Sequence, residues 1–432
     1  MSNSLNMQGK KTTPNTATPN TAIQNTAMIE LIRVKIAELG QKLAPRPSSP
    51  SGVAVTIGKG AVPASSESEA IPTSTRPAQR NVVLPCFSQA GRERVFAELN
   101  LFFEVNPSRF FLLDLRREYQ ELSVSIGEPV GDSAGSQVVV FEGAPNHLPE
   151  ICGLIRSHVL VGVHTELALF DGALLPEALS ALLSLSDSVL IESNLFDHLG
   201  GSGWGDGRAA LFAEILAANV SIIDSSWLRL SSLREELRRA YDQRGLLGVQ
   251  GLEIQYTVAR NSTAKESHSS SISNSDSLHG LPTVAVLMAG WCCSRLGAHS
   301  LSPALAGAFA EFEDGQRIPL KFSRVPNSAN PSGTKVEGLN LEKNDAGVCG
   351  LVMPCTNGII RIEIIAAEAA NNNISKSGAF LLRTEVDTEI KTRSERVFEQ
   401  EADTDRWRRY FRIGESVTNY RSSLRLALAL FR

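Results

Sequence analysis

Short apolar segments alternate with amphipathic segments between residues 81 and 248, and this alternation constrains the fold more than any other feature. The apolar segments at 109–115 and 220–224 have the length and composition of buried strands. The segments between the strands, such as 208–218, place apolar side chains at helical spacing. Strands that alternate with helices are typical of parallel βαβ units. We therefore predict an α/β domain over 81–248, with a mixed or mostly parallel sheet.

The second half of the chain has a different pattern. An apolar helix predicted at 281–296 precedes a series of strand-like segments, some of them separated by turns such as Asp314-Gly315 and Asn357-Gly358. Such turns favour antiparallel hairpins. We therefore predict an α+β domain with antiparallel strands over 249–392, interrupted by a Ser-rich loop at 261–277.

Both ends of the chain are expected to lie outside these domains. Residues 1–80 are low in complexity and rich in Thr, Asn, Ser and Pro, which predicts a disordered N-terminal tail. Within this tail, the apolar residues at 27–43 predict one helix. The charged segment 393–432 predicts a helical C-terminal tail, because Tyr420 and Leu424 lie at helical spacing within it.

The composition excludes several classes of partner. The chain has 432 residues and a formal net charge of −4, which gives no general attraction to nucleic acid or to anionic membranes. Its longest apolar runs are far too short to cross a bilayer. The polar N-terminus lacks the apolar core of a secretory signal. We therefore expect a cytoplasmic protein with no nucleic-acid and no membrane partner.

A Gly-rich segment at 200–207 lies between a predicted strand and a predicted helix. Phosphate-binding loops take this position in α/β folds, because free amides and the helix dipole attract an anion. Gly201, Gly203 and Gly205 would contact such an anion, but their spacing matches neither the dinucleotide fingerprint nor the P-loop. The segment is therefore either a flexible loop or a contact for an anion or nucleotide.

Recognisable catalytic and metal-binding motifs are missing from the sequence. The seven histidines have no metal-ligand spacing, and there is no Gly-x-Ser-x-Gly motif. We expect no metal, no cofactor and no catalytic residue, while an active site assembled from distant residues stays an open alternative. Cys292 and Cys293, like Cys349 and Cys355, are either packed apolar residues or redox-active thiols.

Two segments combine tryptophan with arginine, the residue types that are enriched in binding hot spots. A tryptophan beside a strand end or in an apolar helix also commonly packs domains together. We therefore predict that five residues either form a partner interface or orient the two domains. These residues are Trp227, Arg229, Arg234, Trp291 and Arg295.

The same segments resemble motifs of the OpcA family, the glucose-6-phosphate dehydrogenase assembly proteins. Residues 224–234 resemble its Asp-x-x-Trp-x-Arg-Leu-x-x-x-Arg motif, and residues 289–297 its Ala-Gly-Trp-x-x-Ser-Arg-Leu-Gly motif. Residues 106–109 resemble the family's Pro-Ser-Arg before a hydrophobic strand. The segment 137–144 is shorter than in the family and has no cysteine, which argues against the thiol control of some members.

The resemblance implies a non-catalytic protein that binds glucose-6-phosphate dehydrogenase and promotes its active oligomer, at the entry of the oxidative pentose phosphate pathway. Our first prediction is therefore an allosteric activator or assembly factor, not an enzyme, that acts by protein–protein contact. The alternative prediction is an α/β enzyme or sensor that binds a sugar phosphate or a nucleotide at the Gly-rich loop, residues 200–207.

Overall fold

The fold is described from a computed structural model of the chain. It describes residues 29–34, 39, 80–105, 108–129, 136–159, 162–197, 207–243, 248–257, 281–304, 307–325, 347–366, 379–388, 391–399 and 417–431.

Eight strands form the first sheet: β1 (Ile29–Val34), β2 (Arg80–Cys86), β3 (Ser108–Leu115), β4 (Ser123–Pro129), β5 (Gln137–Gly143), β6 (His164–Leu169), β7 (Ser188–Ile191) and β8 (Ser221–Asp224). Their order across the sheet is β1-β4-β5-β3-β2-β6-β7-β8. The strands from β5 to β8 in this order run parallel. Strands β4 and β1 extend one edge in antiparallel fashion.

Helices cover both faces of this sheet. They are α1 (Gln89–Val105), α2 (Leu148–His158), α3 (Pro176–Leu183), α4 (Arg208–Ala217), α5 (Ser225–Arg229) and α6 (Ser231–Gln243). Helix α1 packs on the face of the sheet that carries Val82 and Phe110, whereas α2, α3 and α4 pack on the face that carries Val83 and Phe111. Because both faces are covered, β3 is buried at every position, which explains its continuous apolar sequence.

The second sheet is mostly antiparallel. It consists of β9 (Leu252–Thr257), β10 (Ser300–Ala304), β11 (Gly307–Glu311), β12 (Arg317–Arg324), β13 (Gly347–Cys355), β14 (Gly358–Ala366), β15 (Ala379–Asp387) and β16 (Thr392–Glu399), in the order β10-β11-β12-β9-β13-β14-β15-β16. Strands β9 and β12 pair in parallel. Strand β12 alternates exposed and buried residues, as expected for a strand with one face in water.

Two further helices lie between the sheets, namely α7 (Thr283–Leu296) and α8 (Val417–Phe431). Helix α8 packs on α7, on α4 and on β8. The two backbones of α7 and α8 approach so closely at Gly290 that an added Cβ would overlap the carbonyl oxygen of Ser423. Phe431 stacks on Phe212 of α4, with ring centroids 5.2 Å apart. The last helix therefore joins the two halves of the chain through one continuous core.

These observations confirm the predicted fold class, an α/β domain followed by an α+β domain with antiparallel strands. The predicted N-terminal tail lies largely outside the described residues, and the Ser-rich loop at 261–277 lies entirely outside them. No helix of the described part of the chain is long and apolar enough to cross a membrane.

Two secondary-structure predictions are wrong. The segment 29–34, predicted within a helix at 27–43, is strand β1, because it pairs along its whole length with β4. Residues 393–399, placed at the start of a helical tail, belong to strand β16 (Thr392–Glu399), which pairs with β15. In both cases strand pairing overrides the local helical pattern, with the distant strand β4 for β1 and with the preceding strand β15 for β16. Helix α8 occupies the end of the predicted tail.

The close crossing at Gly290 gives a first prediction. Gly290→Ala should lower the free energy of unfolding by about 1–3 kcal/mol, because the added methyl group forces the α7 and α8 backbones apart. Urea denaturation of both proteins measures the difference.

Gly153→Ala is the matched control, because Gly153 lies in α2 and an added Cβ there meets nothing within 4 Å. This change should raise the free energy of unfolding by up to about 1 kcal/mol, since alanine is the better helix former. Equal stability of Gly290→Ala and the wild type would contradict the packing of α8 on α7.

Candidate functional site

The carboxyl ends of the parallel strands are the expected place for a ligand in this fold. Four acidic residues lie there: Asp114 near the end of β3, Asp171 just after β6, Glu192 just after β7 and Asp224 at the end of β8. All four are buried. Each of them accepts hydrogen bonds or ion pairs from donors of the chain itself.

The strand order β5-β3-β2-β6-β7-β8 is that of dinucleotide-binding domains, with the switch point at β2. In such domains a glycine-rich turn after the first strand lets the pyrophosphate approach the amides at the start of the helix. Here the turn between β2 and α1 reads Cys86-Phe-Ser-Gln-Ala-Gly91, so only the last glycine of a Gly-x-Gly-x-x-Gly pattern is present.

The carboxylate of Asp171 occupies the amides of this turn. Its Oδ2 atom accepts hydrogen bonds from the backbone N–H groups of Phe87 at 2.6 Å and Ser88 at 2.9 Å. Its Oδ1 atom accepts from the Ser88 hydroxyl at 3.0 Å and from the amide of Ala173 at 2.9 Å. The residues at this turn therefore do not fit a dinucleotide.

The neighbouring acidic residues are also paired internally. Asp114 is bound by Arg92 at 2.9 Å and by Arg116 at 2.6 Å, and it accepts a hydrogen bond from Tyr119 at 2.9 Å. Because Asp114 lies where an acidic residue would bind a ribose hydroxyl, these donors leave that position filled.

Glu192 forms ion pairs with Arg94 at 3.3 Å and with Arg229 at 3.0 Å. The predicted site residue Arg229 therefore binds a buried carboxylate of the chain itself, at the carboxyl end of β7.

An open cavity lies beside β8, at the other end of the parallel strands. It has a volume of about 240 Å³. Its wall is formed by residues of β8, α5, α6, α7 and α8: Ile222, Ile223, Asp224, Trp227, Leu228, Ser231, Arg234, Glu235, Arg238, Trp291 and Tyr420. We call this space the Asp224 cavity. It combines two indole rings, two guanidinium groups and a buried carboxyl group.

The carboxyl group of Asp224 is fully enclosed but well supplied with donors. Its Oδ1 atom accepts from the amides of Ser226 at 3.0 Å and Ser193 at 3.2 Å, and its Oδ2 atom accepts from the Tyr420 hydroxyl at 3.0 Å. Burial raises the pKa of Asp224 to about 6, and these hydrogen bonds offset part of that effect. Burial, followed by the nearby Asp224 charge, holds the pKa of Tyr420 well above its ordinary value.

The aromatic wall is arranged around Trp227. The Arg234 guanidinium lies 3.7 Å from the centre of its ring, which is a cation–π contact. Tyr420 meets the same indole edge-on, with centroids 5.6 Å apart. Arg238 lies at the rim, where it binds Glu235 and Asp242 on the exposed face of α6.

The structure brings together three of the five predicted residues. Trp227, Arg234 and Trp291 line the Asp224 cavity. Trp291 also lines an adjacent cavity of about 120 Å³, and this second cavity contains Arg295. The indoles of Trp227 and Trp291 are only 5% and 9% exposed, so the two rings face the interior of the chain.

Sequence reasoning missed Asp224, Arg238 and Tyr420 as site residues. Asp224 is the first residue of the first Trp-containing segment and lies at the end of a predicted strand. Because ligands bind at strand ends in α/β folds, this position could have marked Asp224 as a site residue. Tyr420 lies 196 residues further along the chain, and nothing in its neighbourhood connects it with Asp224.

Two further sequence predictions concern the Gly-rich loop and the metal ligands. Gly201, Gly203 and Gly205 lie outside the described residues. Among the residues that the structure describes, no group of three or more His, Cys, Asp or Glu side chains is suited to a metal ion.

The cysteines are packed. All six thiols are buried and unbridged. Burial raises the pKa of Cys292 well above its ordinary value, and raises the pKa of Cys293 and of Cys349 to about 12. Burial raises the pKa of Cys355 as well. These thiols have neither the exposure nor the lowered pKa that redox reactivity requires.

No family model matches the chain, and no curated protein matches it. Solved structures do. One is a putative NADPH-dependent oxidoreductase from Desulfitobacterium hafniense, with 11% identity and a TM-score of 0.42 over 82% of this chain and 94% of that one. Another is KijD10, a 3-ketoreductase from Actinomadura kijaniata, with 12% identity and a TM-score of 0.41 over 82% and 95%. A probable oxidoreductase, yhhX, has 13% identity and a TM-score of 0.41 over 80% and 95%. At these values no substrate, cofactor or site residue carries over to this chain.

The expectation of a non-catalytic activator or assembly factor of glucose-6-phosphate dehydrogenase is corrected here. The similar solved structures are named as oxidoreductases and not as assembly proteins, so the comparisons give no support to the predictions that the chain is not an enzyme and that it is such an assembly factor. The burial of Trp227 and Trp291 agrees with this correction, since neither indole offers a surface to a partner. Membership of the OpcA family and the dehydrogenase as a binding partner stay predictions, because no observation tests them.

The raised pKa of Asp224 predicts a pH dependence of stability. The folded chain keeps the Asp224 proton up to a pH of about 6, whereas the free side chain has a pKa of 3.8. Protons therefore bind more tightly to the folded state, and stability falls as the pH rises through this window. The contribution of Asp224 should reach about 3 kcal/mol below pH 4 and be lost above about pH 6.

Urea denaturation of the wild type and of Asp224→Asn at pH 4, 5, 6 and 7 isolates this contribution, because asparagine does not titrate. The wild type minus variant difference in unfolding free energy should fall steadily from pH 4 to pH 7. A flat difference would show that Asp224 is ionised in the folded chain throughout.

Proposed function

We propose that this chain is an α/β enzyme that binds a small phosphorylated sugar in the Asp224 cavity. The observation that carries the proposal is the meeting of Trp227, Trp291, Arg234 and Arg238 with the buried carboxyl of Asp224 in one cavity. A concave site that combines apolar walls with a few convergent polar groups and a perturbed pKa is the usual form of a ligand site.

The polar and aromatic groups match two parts of such a ligand. The parts of Trp227 and Trp291 that line the cavity make its wall apolar, which suits the C–H groups of a sugar ring. Guanidinium groups bind phosphate with paired, charge-assisted hydrogen bonds. Arg238 is the better placed of the two arginines for this role, because it lies exposed at the rim of the cavity. Its ion pairs with Glu235 and Asp242 are solvent-exposed and therefore weak, so a phosphate can compete with them.

The size of the cavity favours a small ligand. Its volume of about 240 Å³ lies below the range of roughly 300–1,000 Å³ that is common for ligand pockets. A monosaccharide phosphate is of suitable size, whereas a dinucleotide is much larger. The turn at the start of α1, where this fold would otherwise hold a dinucleotide, is filled by Asp171.

The Asp224 carboxyl supplies a proton-transfer group. A pKa of about 6 means that both its protonated and its ionised forms are populated near neutral pH, as general acid–base catalysis requires. The Tyr420 hydroxyl donates to Oδ2 and fixes the orientation of the carboxyl group. In this proposal the arginines bind the phosphate at the rim, and Asp224 moves a proton at the inner end.

Calorimetric titration with glucose 6-phosphate tests the proposal, with glucose, inorganic phosphate and NADP⁺ as comparison ligands. Saturable binding of glucose 6-phosphate is expected, with weaker binding of glucose and of phosphate. Arg238→Gln should weaken this binding by up to about fivefold, because it removes a charge-assisted hydrogen bond at a position that solvent screens.

Arg239→Gln is the matched control. Arg239 pairs with the same Glu235 at 3.0 Å, but it does not line the cavity. It should therefore leave the affinity unchanged. Absence of sugar phosphate binding to the wild type, or equal losses in Arg238→Gln and Arg239→Gln, would contradict the proposed site.

A further inference from the structure

The N-terminus of α1 contains an anion that belongs to the chain itself. Three donors of the β2–α1 turn point at the Asp171 carboxylate: the amides of Phe87 and Ser88 and the hydroxyl of Ser88. The amide of Ala173 also donates to this carboxylate. A carboxylate held by backbone amides at a helix N-terminus takes the place that a phosphate takes in nucleotide-binding domains.

The sequence of the turn is adapted to this carboxylate. A Cβ at Gly91 would overlap Asp171, so the one glycine that remains in the turn makes room for the chain's own side chain. Ser88 stands where the pattern would have its second glycine. Its hydroxyl donates to Asp171 and accepts from the Gly91 amide at 2.9 Å. A glycine at position 88 could not supply this link.

The arginine side chains near the turn are also paired with acidic residues of the chain. Arg92 and Arg94 project from the first turns of α1, where they would otherwise be available to an incoming phosphate. They bind Asp114 at 2.9 Å and Glu192 at 3.3 Å. Asp171 itself is only 5% exposed. A ligand phosphate would therefore have to displace a buried carboxylate and would find both arginines engaged.

We infer that Asp171 is an internal substitute for a phosphate, and that it closes the dinucleotide site of this fold. The domain uses the dinucleotide-binding architecture as a scaffold and binds no dinucleotide at the β2–α1 turn. This inference is independent of the proposed function, because the Asp224 cavity lies at the end of β8 and shares none of these residues.

Removal of the carboxylate tests the inference. The wild type should show no binding of NADP⁺ or of pyrophosphate at the turn. Asp171→Ala should lose thermal stability, because four donors lose their acceptor. Pyrophosphate should then restore part of the melting temperature of Asp171→Ala, and bind it at least about tenfold more tightly than the wild type, since it supplies the missing anion.

Glu192→Ala is the matched control. It also removes a buried carboxylate from the carboxyl edge, but the partners of Glu192 are arginine side chains and not the turn amides. Pyrophosphate should not restore its melting temperature selectively. Equal rescue of both variants, or no rescue of Asp171→Ala, would overturn the inference.

The wild type provides a test that does not depend on folding of the variants. Amide resonances or hydrogen exchange at residues 87–91 should be unaffected by millimolar NADP⁺. Saturable NADP⁺ binding that alters these amides would show that Asp171 is displaced by a dinucleotide, and the inference would be wrong. Glucose 6-phosphate binding has no bearing on this result.

Discussion

The last helix, α8, packs against α7, α4 and β8 and thereby holds the two halves of the chain together. Residues Leu424, Ala427 and Leu430 of α8 are completely buried between α7 and the first sheet. Arg421 donates to the carbonyl oxygens of Leu216, in the last turn of α4, and of Val220, just beyond it, at 2.9 Å each. A cation at this position also favours the negative end of the α4 dipole. The cavity beside β8 exists because α8 forms its wall.

Two carboxylates at the same edge of the sheet have opposite environments. Asp171 accepts three hydrogen bonds from the β2–α1 turn and a fourth from the amide of Ala173, and it is buried. Asp224 faces a cavity walled by aromatic rings, and its burial raises its pKa to about 6. One parallel sheet therefore has a closed ligand position at its centre and an open one at its edge. A fold alone does not specify function, and the side chains at each strand end decide which position is used.

The fold class could be predicted from the sequence because local patterns carry it. The alternation of strands and helices and the turns at Asp314-Gly315 and Asn357-Gly358 are short-range signals. Strand β1 could not be predicted, because its pairing with β4 spans nearly a hundred residues. The site was partly predictable: Trp227, Arg234 and Trp291 stand out locally, whereas Tyr420 joins Asp224 across 196 residues. The contact between Asp171 and Phe87 spans 84 residues and has no local signature either.

Hydrogen–deuterium exchange with glucose 6-phosphate and with NADP⁺ in parallel tests whether the ligand position lies at the edge of the sheet and not at the switch point. We expect glucose 6-phosphate to slow exchange in residues 222–241 and 285–296, which surround the Asp224 cavity, and NADP⁺ to leave exchange in residues 85–94 unchanged. Protection of residues 85–94 by NADP⁺, with no effect of glucose 6-phosphate around Asp224, would contradict this expectation.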